Sequence, residues 1–304
     1  MMKKLIFPLL VVIASSSYGI LSTIVKVAMQ YGFTTAEAIT SQYVVGFFLA
    51  LLLFVVTQRT LPRVNKLGAM ILLLAGSLTA TTGIVYGHSL NYLPASLAVV
   101  LLFQFTWIGL FIDCALHKRF PSRAEGISLI FLIGGTIFAA GIVDVDLSAI
   151  AWQGWALGLL AALSFALFIQ VNSRQVEGVT MISRTFLVSL VALIVISVAL
   201  TPEIVWNGQL FGAGLWKFGL ALGLFGIILP ILLFSIAVPK VGGSLASILS
   251  AMELPVAILA SMIVLKEALS ILQFVGIALV LIGMILPSYL SMKKDEKKAA
   301  ERVG

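Results

Sequence analysis

The chain is short of almost everything that soluble proteins place on their surfaces. Only 10% of its 304 residues are charged, with 12 acids against 19 basic residues, so few charges are available to solvate a globular exterior. The single cysteine, Cys114, excludes a disulfide framework and a thiolate metal site. The only two histidines, His88 and His117, each fall at the C-terminal end of successive apolar stretches, which puts them near opposite interfaces, so they cannot share a metal. No H-E-x-x-H, G-x-S-x-G or G-x-x-x-x-G-K-[ST] pattern occurs, so the common metalloprotease, serine hydrolase and nucleotide-phosphate sites are missing. No enzyme activity, cofactor or metal is expected. What the chain has instead is apolar surface, 61% hydrophobic residues and a mean hydropathy of +1.16, which no soluble domain can bury. Its solvent is lipid.

About 20 apolar residues cross about 30 Å of hydrocarbon. Ten stretches of that kind occur, at 5–28, 36–57, 67–90, 94–116, 125–143, 152–172, 181–200, 215–238, 244–265 and 270–290. They are too long for barrel strands, so the expected fold is an all-α integral membrane protein with ten transmembrane helices. The first stretch also has a signal-peptide flavour, with Lys3, Lys4 and then "ASSSYG", but its apolar run continues to Val27, beyond a short signal core.

The net charge of +7 follows topology and is no nucleic-acid signal. With the N-terminus inside, 16 of the 19 basic residues fall on inside segments, from Lys3 through Arg63, Arg123, Arg174 and Lys240 to Arg302. Lys217 and Lys266 fall outside, and Lys26 lies near the outer end of the first helix. The positive-inside rule then places both termini in the cytoplasm. The expected location is a bacterial inner membrane, and residues 292–304 form a charged cytoplasmic tail.

A shift of 148 residues superposes two parts of the chain without a gap. Ser96, Leu97, Ala98, Leu101, Lys118, Ser122, Gly135 and Ile137 fall on Ser244, Leu245, Ala246, Leu249, Lys266, Ser270, Gly283 and Ile285. The expected units are residues 1–146 and 147–291. Each holds five helices, an odd number, so the second must lie upside down relative to the first. Inverted repeats are a mark of secondary transporters, with the substrate site near midplane between them.

Glu253 stands out in this frame. It lies near the centre of the ninth stretch, more than 10 Å from either interface along a helix. An acid at that depth faces a cavity, a partner or a proton, although a structural acid bonded across helices is the competing reading. Pro255, two residues on, withholds an N–H and frees a carbonyl near Ala251; Pro230 does the same in the eighth stretch. Both are candidate helix breaks for gating, or static kinks. Ser15, Tyr18, Ser22 and Lys26 share one side of helix 1, and Thr79, Thr82, Tyr86 and Ser89 one side of helix 3. Tyr18, Ser15, Ser22, Thr82, Tyr86 and Gln104 join Glu253 as candidates for substrate binding or coupling, with the reservation that lone hydroxyls often bond their own helix. Glu37 in "TTAE" reads as a capping box with Thr34. Asp113 and His117 read as a local pair near an interface. Gly154, Gly158, Ala162 and Ala166 form a helix-packing face.

"ASSSYGILSTIVKVA", "GWALGLLAALSFALFIQVNSR" and "FGIILPILLFSIAVPKVGGSLASILSAMELPVA" resemble helices 1, 6 and 8–9 of the EamA-like family of the drug/metabolite transporter superfamily. Tyr18-Gly19 takes the place of a usual Trp-Gly. Leu254 separates Glu253 from Pro255 where the family has them adjacent. Glu267 falls where the family's later Glu would. The first half has Phe105 and Arg119 at the positions matching Glu253 and Glu267, so an acid-dependent step rests on one half. The resemblance implies ATP-independent movement of a small metabolite, such as an amino acid, mostly outward, with a proton or exchanged solute as the coupling partner. A scaffold or a gated channel built on the same bundle is the alternative.

Overall fold

A computed structural model describes residues 2–89, 91–93, 95–139, 151–266 and 269–300, and every regular element among them is a helix. The first half contains α1 (Met2–Gln30), α2 (Thr35–Thr57), α3 (Lys66–Ser89), α4 (Ala95–Leu102), α5 (Phe105–Leu116) and α6 (Arg123–Ala139). The second contains α7 (Trp152–Asn172), α8 (Met181–Leu200), α9 (Trp216–Gly223), α10 (Leu229–Val241), α11 (Gly243–Leu249), α12 (Glu253–Leu265) and α13 (Ile271–Ala300). Among the described residues, eight spans are long and apolar enough to cross a membrane, three of them running through breaks: Leu97–Leu116, Trp216–Val241 and Gly243–Leu265. α6 and the apolar stretch Ile271–Pro287 occupy the two remaining expected positions but are shorter than a full span. The expected boundary at residues 146 and 147, the end of the fifth stretch, Leu90 and Glu267 lie outside the described residues.

Helix starts follow local chemistry. Thr34 accepts from the Glu37 N–H while the Glu37 carboxylate accepts from the Thr34 N–H, the reciprocal cap expected from "TTAE". Ser122 and Glu125 open α6 in the same way, and Ser270 and Gln273 open α13. The last two caps stand 148 positions apart, the same shift that aligns the sequence.

The packing scheme places α1 against α10 and α12, and α7 against α3 and α5. α2 packs on α9 and α8, α3 on α8, and α6 on α13. Exchanging first-half helices for their second-half equivalents maps these pairs onto one another. The α6–α13 crossing is close because glycines form it: a Cβ on Gly135 would meet the Gly276 carbonyl oxygen at 2.8 Å. Ser128 donates to the Gly283 carbonyl in the same crossing. The face Gly154, Gly158, Ala162 and Ala166 is buried, with Gly154 against Leu93 and Gly158 against Leu101.

Two contacts break the exchange. α5 packs on α11 and α7 on α10, but among the described residues their equivalents, α12 with α4 and α1 with α3, make no comparable contact. The loops beside the packed pairs carry Arg59, Arg63, Lys118, Arg119 and Lys240, and this is termed the basic end. The opposite end is loose. Thr81 to Gly87 of α3 are all part-exposed over two helical turns, so the side facing the bundle is open too. No residue of Val256–Leu265 in α12 is buried, whereas Ala246–Ala251, toward the basic end, are buried throughout. A cleft bounded by α1, α3, α4 and α12 therefore opens away from the basic end.

Candidate functional site

The cleft ends at two helix breaks. α11 and α12 are joined by a 3-10 turn at Ser250–Met252. Pro255, the third residue of α12, has no N–H for the Ala251 carbonyl four residues back, which is where the α-helix gives way. α4 and α5 part at Phe103 and Gln104, which fall on Ala251 and Met252 under the 148-residue shift. No proline or glycine marks that second break. Pro230 follows a π-helical turn, Leu224–Ile228, and its ring displaces the normal bond to the Gly226 carbonyl.

Glu253 is the first residue of α12 and is part-exposed. Among the described residues no side chain hydrogen-bonds to its carboxyl or ion-pairs with it. Tyr18 of α1 and Tyr86 of α3 lie close enough to interact with it electrostatically. The Tyr18 hydroxyl is buried, beside Tyr43 and Thr79, yet nothing meets it in hydrogen-bond geometry. Tyr43 donates to the Thr79 carbonyl at 2.9 Å. Under Tyr18 lies an aromatic floor. Its ring sits edge-on to Phe165 at 5.7 Å and tilted to Phe234 at 6.0 Å, and Phe165 meets Phe105 edge-on at 4.7 Å. Phe105 is the position that matches Glu253 in the first half.

α1 approaches the break at Gly19. A Cβ there would stand 2.5 Å from the Glu253 carbonyl oxygen and 2.9 Å from Val256 Cβ, so only glycine lets the two backbones meet.

The remaining candidates are engaged locally. Ser15 is fully buried and donates to Val11 at 2.7 Å. Ser22 is exposed and donates to Gly19 at 3.4 Å, and Thr82 donates to Leu78 at 2.8 Å. Gln104 donates to Val100 at 2.8 Å and accepts from the Trp107 indole at 2.6 Å. The structure thus gathers Tyr18, Tyr86 and Glu253 into one group. It also adds Thr79 from the helix 3 stripe, and Tyr43, Phe165 and Phe234, which sequence reading did not single out. The polar run Thr40-Ser41-Gln42-Tyr43 within α2 was the available signal.

A second polar group closes the basic end. Arg119, in the loop after α5, donates to both oxygens of Glu125 and to Asp113, each at 2.9 Å. Hydrogen bonding to Glu125 raises the Arg119 pKa above its already high ordinary value, so it stays charged. Glu125 also accepts from Ser244 at the start of α11, which ties the first half to the second. Asp113 has the local partner expected of it, His117 at 3.4 Å, and also pairs with Arg119. A cavity of about 360 Å³ lies beside this cluster, lined by Ser122, Ala124, Glu125, Leu245, Ile248, Pro287 and Leu290. None of Tyr18, Tyr86 or Glu253 lines it. Among the described residues no group of three His, Cys, Asp or Glu side chains is placed to hold a metal.

Residues 152–289 match the EamA-like transporter family. The chain is similar to that family, part of the drug/metabolite transporter superfamily, over these residues, and its eight long apolar helices among the described residues mark a multi-pass membrane protein. No curated protein matches it. A crystal structure described only as that of a protein shares the fold, with a TM-score of 0.75 at 14% identity over 94% of this chain and 98% of the other. The EamA-like match covers the second half, and the fold likeness extends across the first.

Proposed function

We propose that the protein is a secondary transporter that moves a small metabolite by alternating access, and that its two halves are inverted five-helix repeats of a ten-helix bundle. The observation that carries this reading is the larger of the two departures from exchange symmetry in the packing. α5–α11 is closed at the basic end while its equivalent, α12–α4, is open at the other. Two packings of one repeated unit, one per end, are what a transporter needs to interchange. The matching helix breaks and caps at the 148-residue shift support the repeat. Glu253 sits at the inner limit of the open cleft and is the proposed site of the charge that moves. Export from the cytoplasm follows the family resemblance, with both termini on the cytoplasmic side and the cleft in its outward-open state.

Counterflow in proteoliposomes tests transport. Protein-dependent uptake of labelled solute against an excess of the same internal solute supports a carrier. A channel carries solute without counterflow, and a scaffold carries none; either result overturns the proposal. Orientation has its own test. In a Cys114→Ala background, Asn207→Cys should react with an impermeant maleimide on sealed cells and Arg63→Cys should not. That background removes the single native thiol. Labelling of the Arg63→Cys variant from outside would reverse the topology.

A further inference from the structure

We infer that the crevice between α6, α11 and α13 at the basic end binds an anionic phospholipid, with an acyl chain in the crevice and the phosphate on Arg123 and Lys118. The wall suits a hydrocarbon chain. Ala124 of α6, Leu245 and Ile248 of α11, and Pro287 and Leu290 of α13 supply most of the lining of the cavity of about 360 Å³. Ile248 and Pro287 are buried, whereas Leu290 and Ser122 are exposed, so the space has a mouth and is not a sealed void. Pro287 has no N–H for the Gly283 carbonyl, which accepts from Ser128 of α6 instead. Exposed Ile127 and Ile130 of α6 and Ile282 and Ile285 of α13 give the same two helices an apolar outer side that lipid covers.

Charge selects the headgroup. Glu125 is the one acid in the wall, and it is saturated. One oxygen accepts from Arg119 and Ser244, the other from Arg119 and the Ser122 N–H. Nothing is left over for the ammonium of a zwitterionic headgroup. Arg119 is likewise spent on Glu125 and Asp113. Arg123 and Lys118 are not. Both are exposed, and among the described residues neither pairs with an acid. Arg123 stands between Ser122 and Ala124, two residues of the cavity wall, so it emerges at the mouth. Phe120, 94% exposed, lies between Lys118 and Arg123 in the α5–α6 loop. An aromatic ring among basic side chains beside a membrane helix is the composition of an anchor at headgroup level, and basic residues there attract anionic lipid. A soluble phosphate would leave the apolar wall uncovered, and a neutral lipid would leave the two cations unused.

The test is native mass spectrometry of the purified full-length protein, titrated with dioleoyl phosphatidylglycerol or dioleoyl phosphatidylcholine, which reads the affinity of the first lipid bound. The anionic lipid should bind more tightly than the choline lipid. Arg123→Gln should weaken the anionic lipid about fivefold, the effect of one basic residue near a lipid phosphate, and leave the choline lipid nearly unchanged. Arg63→Gln removes an exposed charge from the same end, in the α2–α3 loop beside Gly178, and should change neither. Ala124→Phe fills the crevice and should weaken both lipids. Inorganic phosphate at the same concentration should not displace the anionic lipid. Equal first-site affinity for the two lipids, equal losses in Arg123→Gln and Arg63→Gln, unchanged binding by folded Ala124→Phe, or displacement by inorganic phosphate would each overturn the inference. Melting curves confirm that each variant is folded; if Ala124→Phe is not, the exposed Arg123→Gln and Arg63→Gln changes still decide between a site at the crevice and a general attraction to the basic end.

Discussion

Gly19→Leu should yield little folded protein, and what folds should not transport. The four added carbons enter where even one has no room, 2.5 Å from a backbone oxygen of α12. α12 cannot yield by rotating a side chain, because the obstacle is its own main chain at the break. α1 must therefore move away from α12, and the Tyr18–Glu253 proximity is lost with it. Overpacking of a core ordinarily costs about 1–3 kcal/mol, and a backbone obstacle puts this site at or above the upper end. Gly19→Ala should give a smaller loss in apparent melting temperature of the same sign. Wild-type melting and counterflow in Gly19→Leu would show that α1 and α12 do not meet here.

Glu253→Gln should have the opposite profile, with folding intact and function lost. Glutamine keeps the shape and removes the charge. Taking an unpaired acid out of an apolar bundle relieves a desolvation cost, so melting should hold or rise. Transport should fall about 10- to 100-fold, the equivalent of the about 1.5–3 kcal/mol that a hydrogen bond to a charged group contributes. Counterflow and gradient-driven uptake should fall together, because the acid holds the substrate in both. A drop in folded yield with normal transport by the survivors would make Glu253 a structural acid.

The helices were legible in the sequence because lipid demands long apolar runs, and an acid inside one of them drew attention by its cost. The break at Pro255 was legible from the missing N–H. Its counterpart at Phe103 and Gln104 was not, since no residue there forbids an α-helix; tertiary packing and the repeat impose it. Ser15, Ser22 and Thr82 show the limit of stripe reading. Their spacing is that of a lined face, yet each hydroxyl bonds its own helix. Tyrosine is a better guide, because its hydroxyl cannot reach back to its own turn. The aromatic floor comes from three helices, and Glu125 meets Ser244 across 119 residues, so neither could be read from local pattern.

The central claim is that one cleft is open at a time and that the Arg119–Glu125 group holds the basic end shut. Glu125→Gln isolates that claim, because the glutamine oxygen can keep the Ser122 N–H and its amide N–H can donate to the Ser244 hydroxyl, while the charged link to Arg119 is lost. The measurement is the rate of maleimide labelling of Thr82→Cys, in the cleft, and of Ser247→Cys, buried toward the basic end. Both are made in a Cys114→Ala background in lipid nanodiscs, with and without Glu125→Gln. The account predicts that the Glu125 substitution slows labelling at position 82 and speeds it at position 247, the latter by about tenfold for each 1.4 kcal/mol of lost closure. Faster labelling at both positions, or no change at either, would contradict it.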